Sequence, residues 1–224
     1  MTKLLVKNKK ISNSANDTTT LYNYGIPAYK SNTGLVTCPL AGSCGKEGGC
    51  YAQQGAYTWS NVAQAYENRL AVAESSQFVS QMSKELAVKI KTAKRQKKQL
   101  VIRIHDSGDF YNVRYVNKWL EIVQLHPEVN FYAYTKMVPI FKKLQKSKNF
   151  PSNLTIIYSE GGLVDNLIDR TKDRHSRVFP DLASLLQAGY DDASKDDTVA
   201  YKSVSGKIGL IYHGAKSKKW TTDQ

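Results

Sequence analysis

The chain has 224 residues, of which 41% are hydrophobic, and it carries a formal net charge of +13 at pH 7. A chain of this size buries one substantial core, so we expect a single domain over residues 1–224. No stretch approaches the roughly 18 to 20 consecutive apolar residues of a membrane span, and the basic start of the chain lacks the apolar centre of a secretion signal. We therefore expect a cytoplasmic protein without membrane association, and the positive charge makes nucleic acid a candidate partner.

The first part of the chain divides into an N-terminal extension, a cysteine-rich loop and two helices. Residues 1–34 form the extension, in which KLLV (3–6) predicts a short strand. Residues 35–60 contain every cysteine, and a helical composition begins at Asn61. A second helix follows Ser76, whose hydroxyl suits an N-cap. Its apolar positions recur at steps of three and four residues, as in a buried helical stripe: Phe78, Val79, Met82, Leu86 and Ile90.

Residues 100–162 form the predicted core of the domain. Apolar, β-branched runs begin at residues 100, 130 and 154, which is typical of buried strands, and helical segments separate them. Alternating strands and helices at this spacing predict parallel pairing through right-handed crossovers. The pattern after residue 162 is weaker and indicates a short helix, a polar turn and a final strand, within 178–190, 191–197 and 207–214.

Polar side chains follow the three predicted strands at the points where the strands end. The sequences there are HDSGD (105–109), YTK (134–136) and SEGG (159–162). Because the carboxyl ends of parallel strands meet at one edge of a sheet, where α/β proteins gather their functional groups, we expect these residues on one rim. The candidate ligand-binding residues are His105, Asp106, Ser107, Gly108, Asp109, Lys136 and Glu160.

Each charged rim residue also has a structural interpretation. His105 either forms a hydrogen bond within the rim or acts as a metal ligand or proton-transfer group. Asp106 and Asp109 are equally typical of loop caps, because aspartate readily accepts from neighbouring amides. Glu160 suits the start of a turn, and Lys136 is either a solvated charge or the partner of a carboxylate or phosphate.

The cysteines are the most specific feature of the sequence. Cys38, Cys44 and Cys50 are separated by five residues each and lie among glycines. An odd number of cysteines does not suit a closed disulfide framework, and clustered cysteines in a reducing compartment more often bind metal or do chemistry. Three thiolates suit an iron–sulfur cluster; zinc, which prefers four ligands, and inert or catalytic thiols are the alternatives.

Two stretches carry a resemblance to known proteins. SNTGLVTCPLAGSCGKEGGCYAQQGAY (31–57) and VIRIHDSGDFYNVRYVNKWLEIVQLHPEVNFYAYTK (101–136) resemble the phage gene product 88 family and, more distantly, the radical S-adenosylmethionine (SAM) superfamily. The resemblance spans about residues 26–158, with a weaker echo at 207–220. The spacing of five and five differs from the three and two usual in the superfamily, and the aromatic Tyr51 follows the last cysteine instead of preceding it.

The resemblance implies a fold, a cofactor and a location. The fold is α/β: an incomplete (β/α) barrel of parallel strands, with the cysteine loop over their C-terminal ends. The cofactor is a [4Fe-4S] cluster on Cys38, Cys44 and Cys50 whose fourth iron is open to SAM or another small ligand. Ser107, Gly108 and Asp109 are similar to the superfamily motif that holds the SAM amino group. The location is the host cytoplasm of an infected bacterium.

Two functions of different class follow. One is a radical-SAM-like enzyme acting on a small-molecule substrate. The other is an iron–sulfur protein whose cluster has a structural role, a sensing role or an electron-transfer role with a redox partner. In this second function, basic residues in 84–98 and in the tail 207–224 bind nucleic acid. Each basic run also suits a solvated surface, since no groove-reading motif accompanies it.

Overall fold

The structure, a computed structural model, describes residues 2–42, 45 and 50–212. The strands of this part are β1 (Thr19–Asn23), β2 (Gln99–Ile104), β3 (Asn130–Thr135), β4 (Leu154–Ser159), β5 (His175–Phe179), β6 (Asp191–Asp192) and β7 (Lys207–Ile211). They form one sheet in the order β1-β2-β3-β4-β5-β7-β6, in which every neighbouring pair is parallel. The sheet is curled into a half-barrel and surrounded by helices.

The helices precede, connect and follow these strands. They are α1 (Lys9–Asn13), α2 (Ser60–Glu74), α3 (Phe78–Arg95), α4 (Val113–Leu125), α5 (Val138–Leu144), α6 (Leu182–Gln187) and α7 (Thr198–Lys202). Short 3-10 turns lie at Tyr51–Gln53, Gly55–Thr58 and Asp165–Leu167.

Alternate residues of the strands build two cores, one on each face of the sheet. On the outer face Ile102, Phe131 and Ile156 pack beneath α2 to α5 in the larger apolar cluster. On the inner face the strand residues pack with Ile11 of α1 and Ala200 of α7 in a smaller one. The concave side of the half-barrel is therefore partly filled by short helices from both ends of the described chain.

The structure confirms the predicted α/β class and the parallel strands. β2, β3 and β4 coincide with the three apolar runs and lie side by side. The strand predicted at 3–6 is reduced to one residue: Val6 forms an isolated antiparallel bridge with Asn23 of β1, whereas the main-chain nitrogens of Leu4 and Leu5 donate to the Glu85 carboxylate. β1, β5 and β6 were not predicted; β1 comes from the segment that the sequence assigned to an extension, and β6 from the predicted polar turn.

Parts of the cysteine loop and of the basic tail are outside the described residues. Residues 213–224 of the basic tail lie outside the described residues, as does Cys44. In the described part, no helix is both long and apolar enough to cross a membrane.

Candidate functional site

The cysteine-rich segment is held at one end by the loop after β4. The main-chain nitrogen of Gly42 donates to the oxygen of Gly161 at 3.2 Å, and that of Leu163 donates to the oxygen of Leu40 at 3.0 Å. Gly161 and Leu163 follow the carboxyl end of β4. The start of the segment is thereby attached to the middle of the rim.

The other end of the segment spans the mouth of the half-barrel. The Tyr51 hydroxyl donates to the main-chain oxygen of Asp106, just after β2. The side-chain nitrogen of Gln54 lies 3.2 Å from the hydroxyl of Tyr212, just after β7. β2 and β7 are second and sixth in the sheet, so residues 51–54 bridge opposite sides of the mouth. The predicted location of the cysteine loop, at the carboxyl ends of the strands, is confirmed.

The described cysteines flank this mouth. Cys38 and Cys50 are each half-buried. Within residues 2–42, 45 and 50–212, no group of three or more His, Cys, Asp and Glu side chains has the arrangement of a metal site. Because Cys44 lies outside that part of the chain, the complete three-cysteine set stays a prediction.

Two glycines of the segment pass close to neighbouring groups. A Cβ on Gly45 would lie 2.7 Å from the ring of Tyr29 and 2.8 Å from the Cβ of Ala41. A Cβ on Gly42 would lie 2.8 Å from the oxygen of Gly161. Contacts below 3 Å leave no room for a side chain unless a neighbour moves, so packing favours glycine at both positions.

His105 packs among aromatic side chains directly after β2. Its ring centroid lies 4.6 Å from that of Phe110 and 6.3 Å from that of Trp119, and its Nε2 is 2.9 Å from the Tyr115 hydroxyl. Burial and the nearby charge of Arg103 lower the pKa of His105 to about 3, which keeps the imidazole neutral. These contacts support the structural interpretation of this residue.

Asp106 joins three other parts of the chain. Its Oδ2 accepts from Asn8 at 3.2 Å, from Asn23 at 2.7 Å and from Tyr66 at 3.1 Å. Its Oδ1 is buried and has no hydrogen-bond partner. Burial raises the pKa of this carboxyl above its ordinary value, because a low-dielectric environment disfavours the charged form. Asp106 thus connects the end of β2 to the N-terminal segment, β1 and α2.

Asp109 ties the end of β3 to the loop after β2. Its Oδ1 accepts from the Phe110 nitrogen and the Thr135 hydroxyl, both at 2.7 Å, and its Oδ2 accepts from the Lys136 nitrogen at 2.8 Å. The residue is 6% exposed, and burial raises its pKa. The carboxylate is therefore occupied by the protein's own donors, as expected for a loop cap.

Ser107 and Gly108 form the tight part of the same loop. The Ser107 oxygen accepts from the Ile26 nitrogen at 3.1 Å. Gly108 has φ 79°, a conformation that favours glycine, and a Cβ there would lie 2.4 Å from Cγ1 of Ile26. The loop is thus packed closely against the segment that follows β1.

Lys136 and Glu160 also bind neighbouring parts of the rim. The Lys136 ammonium donates to the Ser159 oxygen at 3.1 Å, the Ser159 hydroxyl at 3.0 Å and the Glu160 oxygen at 2.7 Å. The Glu160 carboxylate pairs with Arg170 at 3.2 Å. All three protons of the ammonium have protein acceptors, so Lys136 links β3 to β4 in this structure.

Sequence reasoning missed a buried ion cluster on the inner face. Asp197, which is 0% exposed, pairs with Arg103 at 2.9 Å and with Lys10 at 2.6 Å and accepts from the Tyr132 hydroxyl at 2.8 Å. Burial alone would raise the pKa of Asp197, but the charges of Arg103 and Lys10 outweigh burial and lower it to about 2. The carboxylate is therefore ionised throughout the neutral range.

Arg103 connects that ion cluster to the cysteine segment. Its Nη2 lies 3.4 Å from the Tyr51 hydroxyl, and its guanidinium lies 5.0 Å from the ring centroid of Tyr134. The Tyr134 hydroxyl is buried without a hydrogen-bond partner. A cation and an unsatisfied hydroxyl therefore lie together on the concave side, below residues 51–54. The sequence signal was Arg103 itself, the charged residue in the apolar run LVIRI; Asp197 comes from a polar turn that gave no signal.

Comparison with known proteins identifies relatives in bacteriophages. The family profile described as Gene product 88 matches residues 2–222. The Gene 88 protein of Mycobacterium phage L5 is 30% identical, and that of Mycobacterium phage D29 is 26% identical, each over 161 residues. These alignments cover 67% of this chain and 66% of each relative, so the match spans slightly less than two thirds of the relatives.

The comparison with solved structures found no match. The family profile covers nearly the whole chain, including the cysteine segment and every strand of the described sheet. The predicted family is therefore confirmed, and this chain belongs to the gene product 88 family, whose matched relatives are bacteriophage proteins.

Proposed function

We propose that this protein holds a [4Fe-4S] cluster at the mouth of its half-barrel through Cys38, Cys44 and Cys50, and that the fourth iron binds a small ligand of the SAM type. The observation that carries the proposal is the location of the cysteine-rich segment, which is attached to the ends of β2, β4 and β7. A centre there faces the concave side of a parallel sheet, where α/β proteins bind ligands.

The packing of the segment supports a compact metal centre. Gly42 and Gly45 pass within contact distance of Gly161 and Tyr29, so these described residues of the loop pack closely against their support. Iron–sulfur clusters are bound by cysteine thiolates, and Cys38 and Cys50 are only half-buried. Such exposure suits thiols that need access to iron and sulfide.

The number of cysteines favours iron–sulfur over zinc. A structural zinc site needs four protein ligands, and the chain has three cysteines. Nε2 of His105 is bonded to Tyr115, and Nδ1 and Nε2 of His175 are bonded to the Asp173 oxygen and Tyr190, each at 2.9 Å. His175 is therefore not available as a fourth ligand without breaking these bonds, whereas Nδ1 of His105 and Nε2 of His126 have no hydrogen-bond partner among the described residues, so zinc stays the alternative that metal analysis tests.

Arg103 and Tyr134 are the groups that suit an anionic ligand. The guanidinium uses three of its five protons, for Asp197, for Tyr51 and for the main-chain oxygen of His105, which leaves two donors for a carboxylate. The buried Tyr134 hydroxyl beside it has no hydrogen-bond partner among the described residues and would donate to the same anion. When bound, a cluster with an open iron supplies one electron to a chelated ligand. The chain's own residues orient that ligand.

A second function is favoured by the contacts of the rim. Asp109 and Lys136, which the superfamily resemblance and the rim pattern assigned to ligand binding, use their polar atoms to join the ends of the strands. A rim whose polar atoms already bond to one another suits a cluster with a structural role, a sensing role or an electron-transfer role with a redox partner. In this alternative the protein binds the cluster but does not bind SAM.

Metal and sulfide analysis tests the first step. The protein is prepared without oxygen and reconstituted with iron and sulfide, and we expect about four irons and four sulfides per chain. Cys38→Ser, Cys44→Ser and Cys50→Ser should each lose most of the iron. Gln53→Ala, in the same segment, should retain it. Stoichiometric zinc without sulfide, or full iron in the cysteine variants, would contradict the proposed cluster.

Ligand titration separates the two functions once the cluster is present. Adding SAM to the reduced, iron-loaded protein should change the EPR spectrum of the cluster and give a heat of binding. A loaded protein whose spectrum and calorimetry do not respond to SAM has the second function. Arg103→Gln should weaken the response at unchanged iron content if the guanidinium holds the ligand.

A further inference from the structure

Two lysines lie over one tyrosine at the edge of the sheet, away from the cysteine segment, and a third lysine is near one of them. The ammonium groups of Lys7 and Lys89 each lie 4.6 Å from the ring centroid of Tyr22. Lys98 is close enough to Lys7 that its charge, like that of Lys89, acts on Lys7. We refer to these four residues, Lys7, Tyr22, Lys89 and Lys98, as the Tyr22 cluster.

The fold brings these residues together from three separate segments. Tyr22 lies in the edge strand β1, on the outer face, because its neighbour Leu21 belongs to the inner core. Lys89 projects from α3, and Lys98 follows the left-handed residue Lys97 (φ 55°) that ends this helix. The Tyr22 cluster is thus on the face of the sheet opposite to the concave side.

No acidic group neutralises this surface within the described residues. Residues 84–98 carry seven basic side chains and one acid, Glu85, and the Glu85 carboxylate accepts from the main-chain nitrogens of Leu4 and Leu5 at 2.8 and 2.9 Å. None of the basic residues of this run, and not Lys7, forms an ion pair with a described carboxylate. Partial burial, then repulsion from Lys89 and Lys98, lowers the pKa of Lys7.

We propose that the Tyr22 cluster binds the backbone of a single-stranded nucleic acid. The lysines would contact successive phosphates, and the partly exposed ring of Tyr22 would stack on a base when one ammonium moves from the ring to a phosphate. Aromatic rings flanked by cations are the usual elements of such sites. An anionic membrane is less suited to this surface. α3 exposes one large apolar side chain, Val88, which is too little to insert into a bilayer.

The test uses the full chain and a fluorescein-labelled oligothymidylate of about 16 nucleotides, a typical site size for single-strand binders. Anisotropy is recorded at several salt concentrations. Lys7→Gln with Lys89→Gln should weaken binding by about tenfold and reduce the slope of log K against log salt by about 1.4, since each lost phosphate contact contributes about 0.7. Tyr22→Leu should weaken binding by about tenfold without changing the slope.

The control removes the same charge elsewhere. Lys143→Gln with Lys146→Gln changes two exposed lysines, in and just after α5, that form no ion pair within the described residues, and it should cost less than about threefold in affinity. Thermal melting by circular dichroism verifies that each variant is folded. The proposal is overturned if the wild-type chain does not bind at low salt, if both double variants weaken binding equally, or if the protein binds phosphatidylglycerol vesicles and not the oligonucleotide.

Discussion

The Tyr51 hydroxyl donates a hydrogen bond to the main-chain oxygen of Asp106, which ties the cysteine-rich segment to the end of β2. The same hydroxyl accepts from Arg103 at 3.4 Å. One side chain therefore connects the predicted cluster loop to the central strands and to the buried ions on the inner face. Tyr51 was noted in the sequence only for its position after the last cysteine.

Tyr51→Phe should loosen the segment without unfolding the domain. The variant leaves the Asp106 oxygen and one Arg103 donor without this partner, so we expect the free energy of unfolding to fall by about 1–2 kcal/mol. Urea denaturation measures this change, and iron retention after gel filtration measures the effect on the predicted cluster.

Tyr111→Phe is the matched control for that change. The Tyr111 ring stacks on Tyr115 with centroids 4.4 Å apart, but its hydroxyl has no hydrogen bond recorded in the described part of the chain. The control should change the free energy of unfolding by less than about 0.5 kcal/mol. Equal effects of the two substitutions would contradict the anchoring role of Tyr51.

The loop of Gly108 provides a steric test of the packing below the segment. Gly108→Ala puts a Cβ 2.4 Å from the Ile26 side chain at φ 79°, which adds a clash to backbone strain. We expect a loss of about 2–4 kcal/mol in the free energy of unfolding. Gly189→Ala has a similar φ of 74° but no heavy atom within 4 Å, so strain alone should cost about 1 kcal/mol. Equal losses would show that the contact with Ile26 is absent in solution.

The repeating pattern of the sequence predicted the central architecture because that pattern reflects burial. β2, β3 and β4 are buried on both faces, so their apolar runs stand out. β5 carries His175, Ser176 and Arg177 in a row, and such a composition does not distinguish a strand from a loop. β5 can therefore be recognised only from its pairing with β4 and β7 in the structure.

The candidate site was predictable in position but less so in its contacts. The strand ends identified the rim residues, whereas their partners, such as Asn8 for Asp106, come from distant segments. The pair of Arg103 and Asp197 is separated by 94 residues, and spacing rules do not reach that far. Local patterns locate a rim, but tertiary contacts decide which of its side chains keep polar atoms available for a ligand.

Lowering the pH should reduce the free energy of unfolding because it protonates Asp197. Its pKa is lowered from 3.8 to about 2 in the folded protein, so its contribution is complete above about pH 4 and is lost as the pH falls toward 2. The shift corresponds to about 2 kcal/mol. Burial raises the pKa values of Asp106 and Asp109, and these two groups act in the opposite direction, favouring folding at low pH.

Asp197→Asn isolates this contribution. At about pH 7 the variant leaves Arg103 and Lys10 buried without their anion and should lose about 3–5 kcal/mol. At about pH 2.5 the difference from the wild type should shrink by about 1–2 kcal/mol, because Asp197 of the unfolded wild-type chain is then protonated and the folded protein has begun to bind the same proton. Asp191→Asn, at a partly exposed carboxylate bonded to Ser203 and Ser205, should cost about 1 kcal/mol or less. A pH-independent effect of Asp197→Asn would refute the assigned pKa.

The last prediction concerns the role of Asp109 in ligand binding. The resemblance assigns its motif to the SAM amino group, while its carboxylate accepts three hydrogen bonds from Phe110, Thr135 and Lys136. We therefore expect Asp109 to act as a positioning residue that holds the Ser107–Gly108 main chain.

Asp109→Asn turns one acceptor oxygen into a donor facing an N–H or O–H group and should lower the free energy of unfolding by about 2 kcal/mol. Thr135→Val removes one of the same bonds and leaves the carboxylate intact, so it serves as the comparison. With iron-loaded protein, both variants should weaken SAM binding in proportion to their loss of stability, as measured by calorimetry and EPR. If Asp109→Asn abolishes the SAM response at full iron content while Thr135→Val of equal stability retains it, the carboxylate touches the ligand directly and the positioning role is wrong.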